Sequence, residues 1–277
     1  MSSVTENILI VEEKWLIPLT EYSRHIFHSV WMPSHDETHS IRVWSFAKEL
    51  YLELERKNYI ADSQELEQIL VAVFFHDMGM IRDPGPDHGK LSREMCLGFF
   101  KQTGFEKPIG LTVILDAIVN HDDKTYRNHV NHSAERFSVF EVLCISDDLD
   151  AFGLTGVFRY WEIYKLRDIP EKLIPGKVIQ NLEDRFNHFK EGCSSLHHFY
   201  RSHRKRFLKT KQFYTHLQEA YSLSSKESPL STRVVEIFNR KILEEHVYPG
   251  DLLEELKGKQ TPEVLRFFKE FCKEFSS

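Results

Sequence analysis

Residues Leu66–Met80 read LEQILVAVFFHDMGM, and the change of character at His76 decides how the chain is understood. Leu66, Ile69, Leu70 and Val73 recur at three- and four-residue spacing, the pattern of a helix with one buried face. Asp77 falls on the same stripe. The helix is expected from about Ser63 to Met78, with Gly79 as its C-terminal stop. An apolar stripe therefore closes on an imidazole and a carboxylate. Burying a lone carboxylate is costly, so Asp77 needs a compensating cation or base.

Working outward, the same oddity recurs. A helix expected over Glu37–Lys57 buries His39, Val43, Phe46, Ala47 and Leu50, and His39 opens it. One over Pro108–His121 turns Leu111, Ile114, Leu115 and Ile118 inward and closes at His121. One over Ala134–Leu149 buries Phe140, Leu143, Cys144 and Asp147. Between them lie a helix over Ser92–Thr103 and two loops, Ile81–Gly89 (IRDPGPDHG) and Asn120–Ser133. Beyond Gly153 the periodicity stays helical through Phe158–Leu166, Lys177–Phe189 and His197–Tyr221. A Ser-rich break at Ser222–Ser228 and a last helix, Pro262–Phe275, follow. No strand pattern or repeat interrupts the series, which makes the expected fold all-α. Ends of helices in a bundle can converge, and facing helices commonly build metal sites this way.

Composition agrees. The 277 residues are 41% hydrophobic and 28% charged, with only 12 Gly and 10 Pro, a profile short of turn-formers. A net charge of -6 argues against broad capture of nucleic acid. The basic run His203–Lys211 (HRKRFLKTK) reads as a solvated helix face. Cys96, Cys144, Cys193 and Cys272 are far apart and form no C-x-x-C pair, as expected of buried thiols in a reducing cytoplasm. The N-terminus lacks the features of a signal peptide, and the apolar run Ile69–Phe75 is too short to span a bilayer. Of the 15 histidines, His25, His28, His129, His132, His197, His198, His203, His216 and His246 are expected at the surface.

His39, His76, Asp77 and Asp147 form the expected metal-ligand set. Imidazoles with carboxylates suit Mn, Fe, Zn, Ni, Co or Mg without a choice among them. Two His and two Asp leave positions open for water and substrate, the mark of a catalytic site.

Five blocks in order, S34-H35-D36-x-x-H39-x-x-R42-V43, F75-H76-D77-M78-G79, H88-G89-K90-L91-S92, I118-V119-N120-H121 and S146-D147-D148-L149-D150-A151-F152-G153, resemble the HD-domain metal-dependent phosphohydrolases. Small bacterial HD enzymes that hydrolyse nucleotides are the most similar subgroup. The resemblance covers Ser34 to about Arg159, with an echo at Phe186–Phe189. It implies an HD-domain helical bundle with additional C-terminal helices. The expected divisions are a helical lead-in (1–33), a catalytic core (34–160) and a helical extension packed on the core (161–277).

It also implies hydrolysis of a phosphate ester or anhydride, a nucleotide by preference, with one divalent ion favoured and a second at His88 and His121 as the other reading. With one ion, His88 and His121 are expected in proton transfer, and Arg42, Lys90 and Lys124 in substrate binding. Asp36 either orients His39 or caps its helix. Asp150 is expected to support Arg159, and Asp148 to be solvated. Met80 stands where many HD phosphodiesterases carry Lys, which speaks against cyclic dinucleotides. A di-iron oxygenase and a non-catalytic metal-bound signalling module are the alternatives. The expected partner is a small phosphate compound, without membrane or nucleic acid, and a homodimer is left open.

Overall fold

The computed structural model describes residues 3–85, 87–123, 137–222 and 229–276, and every regular element among them is helical. The chain divides into two compact units. One comprises Met1–Val30, His35–Leu149 and Glu191–Tyr200, and the other Trp31–Ser34, Asp150–Lys190 and Arg201–Ser277.

The first unit is built on α1 (Val4–Phe27), α2 (Glu37–Glu55), α3 (Ser63–Phe75), α4 (His88–Thr103), α5 (Leu111–Asn120) and most of α6 (Val139–Asp150). Helix α1 opens with a capping box: Ser3 accepts from the Glu6 amide while the Glu6 carboxylate accepts from the Ser3 amide. Its buried stripe, Val4, Ile8, Val11, Trp15, Leu19 and Phe27, packs on α2 and α3. The Trp15 indole N–H donates to Glu67 at 2.6 Å, so the largest side chain of that stripe buries no unmet donor. Helix α3 is buried almost throughout from Leu66 to Phe75, with α1 and α2 packed on it and α5 beside it. A fully buried Phe or Leu contributes roughly 1.5–3 kcal/mol, so this central helix holds the unit together.

In the second unit, α7 (Gly153–Leu166), α8 (Ile174–Cys193), α9 (His197–Ser222), α10 (Leu230–Ile237), α11 (Leu252–Leu256) and α12 (Pro262–Phe275) supply most of the structure. Phe158, Phe238, Phe268, Phe271 and Phe275 form one aromatic cluster between α7, α12 and the π-helical turn Phe238–Glu244. Gly153 takes φ +85, and the N–H of Leu154 next to it is capped by the Glu274 carboxylate. No helix among the described residues is long and apolar enough to cross a membrane.

Several boundaries differ from the sequence reading. Helix α3 stops at Phe75, Asp77 adopts φ -104, ψ 0, and Met78–Ile81 form a 3₁₀ turn. Gly79 is not left-handed, so its role is to lack a side chain where α4 approaches. Helix α4 begins at His88 instead of Ser92, and α5 at Leu111 instead of Pro108. Helix α7 begins at Gly153 rather than Phe158. Polarity misled at two further places. Asp148, expected to be solvated, is fully buried, and so is His203, which shares the inward stripe of α9 with Phe207, Thr210 and Tyr214. His25, His28, His197, His198, His216 and His246 are exposed as expected, whereas His129, His132 and most of the Ser222–Ser228 break lie outside the described residues. The four cysteines are buried, and burial pushes the Cys96 thiol up to about 12, far from reactive.

Candidate metal centre

Five helix ends of the first unit deliver six side chains to one place. His39 comes from the first turn of α2, while His76 and Asp77 follow the last turn of α3. His88 begins α4, His121 caps α5, and Asp147 lies in the last turn of α6. All six are buried.

Their donor atoms fall into two groups. In the first, His39 Nε2 and His76 Nε2 are 3.2 Å apart, and each is 3.4 Å from Asp77 Oδ2. Asp147 Oδ1 stands 3.6 Å from His39 and 3.7 Å from His76. In the second, His88 Nε2 and His121 Nε2 are 3.1 Å apart, at 3.4 and 3.1 Å from Asp77 Oδ1. Asp77 thus gives one oxygen to each group.

Hydrogen bonds fix the rings. The Nδ1 atoms of His76, His88 and His121 each lie 2.7 Å from the carbonyl three residues earlier, of Val73, Gly85 and Ile118. A carbonyl only accepts, so Nδ1 carries the proton, and in the neutral rings Nε2 presents a lone pair. The facing Nε2 atoms of His88 and His121 are then two acceptors at hydrogen-bond distance, which repel unless a positive charge lies between them. Backbone carbonyls that orient ligand imidazoles this way are common around metal ions.

Electrostatics carry the same message. Burial opposes ionisation of Asp77, but the His76 charge and the close approach of the His121, His39 and His88 rings hold it well below the usual carboxylate range. Burial likewise opposes protonation of His76 and His88; Asp77 overcomes it in both, and together with the Gly85 carbonyl raises His88 to about 9. At His121 burial prevails and the ring is pushed toward neutrality. The cluster therefore collects positive charge, as protons if nothing else is available. Donors about 2.1 Å from a common ion stand about 3.0 to 3.4 Å apart at right and tetrahedral angles. Most of the spacings given above are close to that, so the donor set fits divalent cations in chemistry and in size.

Close packing brings the ends together. A Cβ on Gly79 would lie 2.1 Å from the His88 carbonyl oxygen and 2.8 Å from Ser92 N. One on Gly89 would lie 2.7 Å from the Val119 carbonyl oxygen. Two glycines thus let the turn after Asp77 seat on α4, and α4 on the end of α5. Ser92, buried on α4, accepts a 2.8 Å hydrogen bond from the Gly79 N–H. The sequence reading gave Ser92 no role, although its place one turn after His88 puts both on one face.

The remaining expected residues are placed as follows. Asp36 caps α2, accepting from the Thr38 N–H at 2.9 Å and its hydroxyl at 2.6 Å. Arg42 is buried and donates to Thr38 Oγ1 at 3.0 Å. Lys90 pairs with Asp87 at 2.7 Å on the exposed side of α4, and Lys124 lies outside the described residues. In the second unit Asp150 supports Arg159 at 3.6 Å.

Residues 37–151 match the family model described as HD domain. None of the curated proteins and none of the solved structures compared with the chain matches it.

Proposed function

Because residues 37–151 form an HD domain, the fold of a superfamily of metal-dependent phosphohydrolases, we propose that this protein hydrolyses a phosphate ester or anhydride, a nucleotide by preference. One observation carries the reading: Asp77 turns its two oxygens to two separate sets of imidazoles. His39, His76, Asp77 and Asp147 would hold one divalent ion. His88 and His121, with the other oxygen of Asp77, would hold a second, taking the two-ion reading over the proton-transfer one.

When bound, such ions supply Lewis acidity, which polarises a phosphoryl oxygen and lowers the pKa of water toward neutrality. The chain's own part is to fix the donors. Backbone carbonyls hold three rings in the tautomer that presents Nε2. Burial keeps bulk water from competing for Asp77. Lys90, exposed and paired only at the surface, is available to an incoming phosphate. Arg42, bonded to Thr38, supports the first turn of α2, from which His39 projects.

Protein stripped of metal and reloaded with Mn(II) should release phosphate or pyrophosphate from at least one member of a nucleotide panel. A fully loaded protein inert on that panel would overturn the proposal. The set of four His and two Asp also fits a di-iron oxygenase of the same fold. Two irons per chain in protein purified without added metal, together with oxygen-dependent turnover, would favour that second reading.

A further inference from the structure

We infer that Ser92 is the positioning residue that holds the second ion position, that of His88 and His121, in register with Asp77; this rests on the two-ion reading. Ser92 takes no part in either donor group. It is fully buried, one turn beyond His88 on α4, and its hydroxyl oxygen accepts the N–H of Gly79, two residues beyond Asp77. This hydrogen bond ties the turn that follows Asp77 to the helix that begins with His88.

The surroundings make this bond decisive for one group and not the other. Met78 and Met80 bury their side chains, but among the described residues the other backbone hydrogen bonds of the turn after Asp77 are local. The Met80 N–H bonds to the Asp77 carbonyl, and those of Arg82 and Asp83 to the Gly79 carbonyl, all inside the same short segment. Gly79 has no side chain to anchor it and lies against the His88 carbonyl and Leu91. A sliding of α4 along this contact would carry His88 away from Asp77 Oδ1, which it faces at 3.4 Å. His39, His76 and Asp147 come from α2, α3 and α6, and their spacing to Asp77 Oδ2 does not involve α4. Loss of the Ser92 hydroxyl should therefore weaken the second ion and spare the first. It would also leave the buried Gly79 N–H without its acceptor.

The test is a Mn(II) titration of the full-length, metal-stripped chain, followed by calorimetry and by the electron paramagnetic resonance signature of a coupled Mn(II) pair. Wild type should take up two ions. In Ser92→Ala the second affinity should fall roughly 10- to 100-fold, the range typical of outer partners of metal ligands, and the first should stay within about threefold. The coupled-pair signal should then appear only at higher Mn(II). Ser92→Thr, which keeps the hydroxyl acceptor, should restore much of the second affinity. Should Ser92→Ala fail to fold, Ser92→Cys, similar in shape but a weaker acceptor, is titrated in its place. A two-ion wild type whose affinity ratio is unchanged in these variants, or falls equally at both positions, overturns the role of Ser92 alone. A wild-type chain that takes only one ion overturns the two-ion reading and this inference with it.

Discussion

His121 meets Asp77 at Oδ1, 3.1 Å away, while His39 meets the same carboxylate at Oδ2, 3.4 Å away. A carboxylate shared in this way belongs to both donor groups, so its loss should not be divisible between them.

Asp77→Asn is the sharpest probe of that sharing. Asparagine keeps the size but replaces one acceptor oxygen by a donor amide and removes the charge. Bound metal, measured by elemental analysis, should drop at both positions. Turnover should fall by more than the 10- to 100-fold that loss of an outer partner brings. Retention of two ions per chain would contradict the shared role.

Metal uptake should release protons. In the metal-free protein the His88 ring, raised to about 9, is largely protonated at pH 7, while Asp77 is already anionic. A ligand imidazole must be neutral, so the ion has to displace that proton. Affinity should therefore rise with pH up to about 9 and level off beyond it. Calorimetry in buffers of different ionisation heat, at pH 7 and again near pH 10, reads the proton count. Equal proton release at the two pH values would contradict the assignment.

Two glycines on neighbouring segments should respond in opposite senses. Gly79→Ala places a methyl 2.1 Å from the His88 carbonyl oxygen, against backbone that cannot swing aside. Overpacking of this kind costs about 1–3 kcal/mol, and it should displace His88 as well. Gly98, inside α4, faces open space, with nothing within 4 Å of where a Cβ would stand. Gly98→Ala should therefore stabilise by about 0.5–1 kcal/mol through helix propensity. Denaturant unfolding of both variants checks the pair.

The cap of α2 carries a pH signature. Burial, outweighing the hydrogen bonds from Thr38, raises Asp36 to about 6 from 3.8. A carboxyl raised on folding binds its proton more tightly in the native state, so a destabilising contribution grows as pH rises from about 4 and is complete above about 6. Asp36→Asn keeps the acceptor for the Thr38 N–H without the charge. Metal-free Asp36→Asn should melt above wild type at pH 8, and the difference should vanish as pH falls toward 4. A lower melting temperature at pH 8 would show that the charge is needed where it stands.

The sequence by itself determined the all-helical character of the chain and the six polar residues near helix ends, because a buried face repeats with the helical period and a polar residue closing such a face stands out. His39, His76, Asp77, His121 and Asp147 were each legible in this way, and His88 through its place in the ordered blocks. Only the tertiary structure decided how they are shared. That Asp77 faces two ways, that Asp36 caps rather than orients, and that Ser92 reaches Gly79 all depend on distances between segments remote along the chain. Local periodicity carries no record of those. Asp148 and His203 show the same limit from the other side: polarity predicts exposure only on average, and the packing of neighbouring helices overrode it at both.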